Sequence, residues 1–153
     1  MFVVDDLAGW LIGRLADAGY QQLTTLLRGS DQARALKAAV TAAVQATVAQ
    51  IGPSGGEEAD RIAEHINKAF RRREPVPLPP GQPTLLEALQ AGIAGQLSVL
   101  DNTGQSAVSL PGVPAGEVAA RLTGHLVREI MIRGSQGGAL FPLAVQLGQD
   151  LTT

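Results

Sequence analysis

Apolar residues recur along this chain every three to four positions, the period of a helix face turned inward. Leu7, Leu11, Leu15, Ala18, Leu23, Leu26 and Leu27 follow that spacing and predict a helix over 5–28. Asp5 or Asp6 is a candidate cap for its start, and Gly29 follows its last turn. Gly9, Gly13 and Gly19 each cost such a helix about 1 kcal/mol relative to Ala. Two readings account for them: close packing against another helix, or a break near Gly19.

Ser30 or Asp31 opens a second helix, with Leu36, Val40, Val44, Val48 and Ile51 as its stripe. Gly52-Pro53 ends it. Glu57, Glu58 and Asp60 place acids where a third helix begins; it runs to about Arg73 and buries Ile62, Ile66 and Phe70. The stretch "EPVPLPPGQP" (74–83) follows, with five prolines in ten residues. It excludes helix and favours an extended, polyproline-like strap.

Beyond the strap, Leu86, Leu89, Ile93, Leu97 and Leu100 predict a fourth helix over about 84–100. A polar loop leads to Pro114, a good first-turn residue. A fifth helix then carries Val118, Leu122, Leu126 and Ile130 to Gly134. A short sixth, roughly 139–151, holds Leu140, Leu143, Ala144 and Leu147. No run alternates with the period of a strand. The expected architecture is all-α: a single helical bundle of about six helices in one domain, 1–153, whose halves share one core across the Pro-rich connection.

Composition changes this picture little. The chain has 153 residues, enough for one domain with a real core. Aromatics are only 3% of it, so the core rests on many small aliphatic contacts. Twelve basic and 14 acidic residues are spread through the chain without a basic face, so the electrostatic footprint of nucleic-acid binding is missing. There is no cysteine, hence no disulfide, thiol nucleophile or Cys-rich zinc site. No segment reads as a secretory signal or a membrane span. The expectation is a soluble, cytoplasmic protein.

Candidate chemistry is sparse. "RGSQGGALFP" suggests a phosphate cradle, but a P-loop needs a strand before the glycines and a Lys with Ser or Thr after them. Here the preceding segment has helical period and no Lys is present. The expected role is a turn, with Gly134 in the left-handed cap position. His125 has Glu129 one turn on, a spacing open to a metal, an acid–base pair or a pocket wall. HExxH is absent and no third ligand is evident, which favours a partly buried, hydrogen-bonded histidine. No catalytic residue, cofactor or metal site is nominated, and no enzyme activity is expected.

Arg71, Arg72 and Arg73 end the third helix, where cations meet its carbonyl dipole favourably. With Pro75 and Pro77 they also form a candidate interaction surface for a protein partner. Trp10 is the only tryptophan. It anchors the first helix in the core or, if exposed, marks an interface.

The blocks "DDLAGWLIGRLADAGYQQLTTLLRG", "PTLLEALQAGIAGQLSVLD", "GVPAGEVAARLTGHLVREI" and "RGSQGGALFPLAVQLGQDLT" resemble the N-terminal helical domain of bacterial STAND-type P-loop NTPases. These are NACHT or NB-ARC proteins, often with TPR or other repeats. The resemblance covers nearly the whole chain and rests on apolar helix patterns and glycines. It implies an interaction and signalling module in regulation or defence, coupling an ATP-driven oligomer to an output. Its partners would be the downstream NTPase region, a second copy or an effector. The resemblance carries over no catalytic residue. The alternative, from small side chains that can leave space between helices, is a bundle binding a small ligand or lipid near His125 and Glu129.

Overall fold

The structure, a computed structural model, describes residues 4–51, 60, 62–64, 66, 67, 70, 81, 84–102, 115–134 and 138–152. Among these residues there are helices and turns and no strand. The elements are α1 (Asp5–Asp17), α2 (Gln21–Leu27), α3 (Ser30–Ile51), α4 (helical residues within 60–67), α5 (Leu85–Asn102), α6 (Ala115–Gly134) and α7 (Phe141–Thr152).

The single helix expected over 5–28 is therefore two. Gly19 adopts a φ of +95°, which only glycine reaches without strain. Around it the Gly19 N–H donates to the Ala16 carbonyl (3.1 Å) and the Tyr20 N–H to the Leu15 carbonyl (2.9 Å). Those two bonds are the Schellman closure that ends a helix on a left-handed residue. Gly9 and Gly13, by contrast, are exposed on α1, and an added methyl would meet nothing within 4 Å. Within the chain, these two glycines make no close contact with another helix.

α6 is the hub and packs against α3, α5 and α7. Its inward stripe of Val118, Leu122, Leu126 and Ile130 is fully buried, as its spacing predicts. It meets Leu36, Val40 and Val44 of α3, where Ala39 and Ala43, also fully buried, let the backbones approach. On α5 the stripe is Leu85, Ala88, Leu89, Ile93 and Leu97. Leu86, expected there, is only half-buried; its neighbour Leu85 holds the core position. Ile62, Ile66 and Phe70 join the same apolar cluster as the α5, α6 and α7 stripes. Most of the 74–83 strap lies outside the described residues; Gly81, exposed with φ +88°, is the described part.

Helix ends are tied by residues distant in sequence. Val4, not Asp5 or Asp6, holds the cap position of α1, and it offers no side-chain cap. Asn67 of α4 supplies one: its Oδ1 accepts the Leu7 N–H at 2.9 Å, and its Nδ2 donates to Asp6 Oδ2 at 3.1 Å. Asp5 instead pairs with Lys37 at 2.7 Å, an exposed contact of little energetic weight. α5 opens with a capping box: the Glu87 N–H donates to Thr84 Oγ1 (3.1 Å) while Glu87 Oε1 accepts the Thr84 N–H (3.3 Å). Asp150 of α7 adds a further acceptor, taking the Leu86 N–H at 3.1 Å.

Gly134 closes α6 without the left-handed geometry expected of it, since among described residues only Gly19 and Gly81 have positive φ. Its small size serves proximity instead. A Cβ there would collide with the Ala144 Cβ and lie 2.9 Å from the Leu140 carbonyl oxygen. This glycine is what lets α7 fold back onto the end of α6.

Candidate functional site

Of the residues singled out in the sequence, Arg71, Arg72, Arg73, Pro75 and Pro77 lie outside the described residues. His125 and Glu129 are half-buried on α6 and turn to different partners. His125 Nε2 stands 3.0 Å from Gln50 Oε1 near the end of α3, and Arg121 Nη1 donates to the same oxygen at 3.0 Å. An arginine only donates, so the amide oxygen must face it. That oxygen can then only accept from His125, which places the imidazole proton on Nε2. Arg121 also pairs with Glu117 at 2.9 Å, and Glu129 pairs with Arg133 at 3.5 Å. The cluster clamps α3 to α6 and leaves the acid one turn away engaged elsewhere.

Burial shifts two further ionisable groups among the described residues, Arg14 and Tyr20. Arg14, 4% exposed, donates from Nε to the Ala88 carbonyl at 2.9 Å and packs over Gly92. Burial holds its guanidinium below the usual range, opposed by nearby Asp17. Tyr20 has its phenol pushed above its ordinary value, first by burial and then by Asp150, against a hydrogen bond with the Leu85 backbone. Both groups join α5 to the segments before it, and their polar atoms engage the backbone of that helix.

An open, largely apolar groove lies where no candidate site residue was singled out from the sequence. A groove of about 480 Å³ runs between α5, α6 and α7. Leu86, Gln90 and Ala94 form its α5 wall. Ala120, Thr123, Gly124 and Val127 form its α6 wall, and Leu151 of α7 closes one end. Among the described residues that line it, none is charged. Thr123 spends its hydroxyl on the Ala119 carbonyl at 2.8 Å, within its own helix. Gln90, Ala120, Gly124 and Leu151 are exposed, so the groove is open along its length rather than enclosed. His125 and Glu129 do not line it. The sequence carried a faint signal for it: Leu86 and Leu85 compete for one core position, and Ala94, Ala120 and Gly124 are small where a helix meets solvent.

A second cleft, about 500 Å³, lies between α2 and α7, with Leu23, Leu26, Pro142 and Gln146 among its walls. Leu26, Phe141 and Val145 are more than 40% exposed. Among the described residues no three His, Cys, Asp or Glu side chains form a group able to hold a metal. No described helix is long and apolar enough to cross a membrane. Compared with known protein families, curated proteins and solved structures, the chain finds no match.

Proposed function

We propose that this chain is a non-enzymatic helical interaction and signalling module of the kind that stands at the N-terminus of STAND-type NTPases. In that setting it couples an ATP-driven oligomer to an output in regulation or defence. The observation that carries the reading is the uncharged groove between α5, α6 and α7, open to solvent at Ala120, Gly124 and Leu151. Small residues on its walls allow close approach of another helix, and its apolar lining rewards burial by about 25 cal/mol per Å². Its partner is the NTPase region of the same protein, a second copy or an effector, engaged helix-in-groove.

Two measurements test this. The adjoining coding sequence should contain GxxxxGK followed by Ser or Thr, the nucleotide loop this chain lacks. Sedimentation of the purified protein, alone and with the NTPase polypeptide with and without ATP, should show association that Ala120→Arg or Gly124→Arg abolishes. Absence of association in every nucleotide state overturns the proposal.

The groove volume also falls within the range of small-molecule sites, which favours a second reading as a binder of an apolar ligand or lipid. Such sites cover most of their ligand's surface, and this groove is open. Saturable binding of a fluorescent fatty acid, lost in Ala120→Arg, would replace the first reading with the second.

A further inference from the structure

We draw no further inference here: the strongest candidate, the outward face of α7 with exposed Phe141 and Val145 beside the α2–α7 cleft, carries none because nothing in the structure shows what covers it.

Discussion

The backbone N–H of Leu7 donates to Asn67 Oδ1 at 2.9 Å, so α1 is capped by a side chain 60 positions further along. Asn67 is 3% exposed and spends its amide nitrogen on Asp6. One buried side chain thereby joins the first turn of α1 to α4.

Replacing Asn67 with Ala leaves a helix-start donor without its acceptor. The expected loss is about 0.5–2 kcal/mol, the range for losing a cap. Urea unfolding measures it; a midpoint indistinguishable from wild type would mean that the Leu7–Asn67 bond contributes nothing net.

Two kinds of glycine inside these helices, crowded and open, are separated by one experiment. Gly92 lies under Trp10 and Arg14, and an added Cβ would sit 2.7 Å from Trp10 Cζ2 and from Arg14 Nε. Gly92→Ala should therefore destabilise by about 1–3 kcal/mol through overpacking. Gly9→Ala or Gly13→Ala enters open space on an exposed helix face and should stabilise by about 0.5–1 kcal/mol. Parallel denaturant titrations decide it, and equal signs for the two classes would contradict the packing described.

Leu122 is fully buried at the centre of α6, and Arg128 is exposed on the same helix. Leu122→Ala should cost about 2–5 kcal/mol as a cavity opens. Arg128→Ala should stay within about 0.5 kcal/mol. Similar melting temperatures for both variants would argue against α6 as the hub.

Tyr20 gives the alkaline side of the stability curve a specific dependence. Its phenol is raised in the folded state, so the folded chain holds that proton more tightly than the unfolded chain does. The unfolded state then binds fewer protons above about pH 10, and stability falls as pH rises through that region. Tyr20→Phe should flatten the fall between pH 9 and pH 11 in thermal melts. An unchanged slope would show that another group sets it.

The helix stripes of α3, α6 and α7 were legible because their period is a local property of the chain. Val118, Leu122, Leu126 and Ile130 share one face whatever they pack against. The break after α1 was legible as an alternative, since Gly19 alone admits the left-handed turn but does not demand it. The cap by Asn67 was not legible: its acceptor arrives from another helix, and capping rules read only adjacent residues. Gly134 misled for a related reason. A glycine after a helix signals either positive φ or close approach, and only the position of Ala144 decides between them. The groove was the least legible feature, because three helices must be docked before Leu86, Ala120 and Leu151 become neighbours. His125 was read correctly as hydrogen-bonded, but its partner Gln50 lies on another helix and no spacing points to it.

Trp10 meets Phe70 edge-on at a ring-centroid distance of 4.8 Å and also rests on Gly92. Those two contacts come from opposite sides of the proline-rich stretch at 74–83. As the sole indole, Trp10 is a native optical gauge of whether the two stretches of chain have come together. Its emission should shift to longer wavelength whenever they part, even while circular dichroism still registers intact helices.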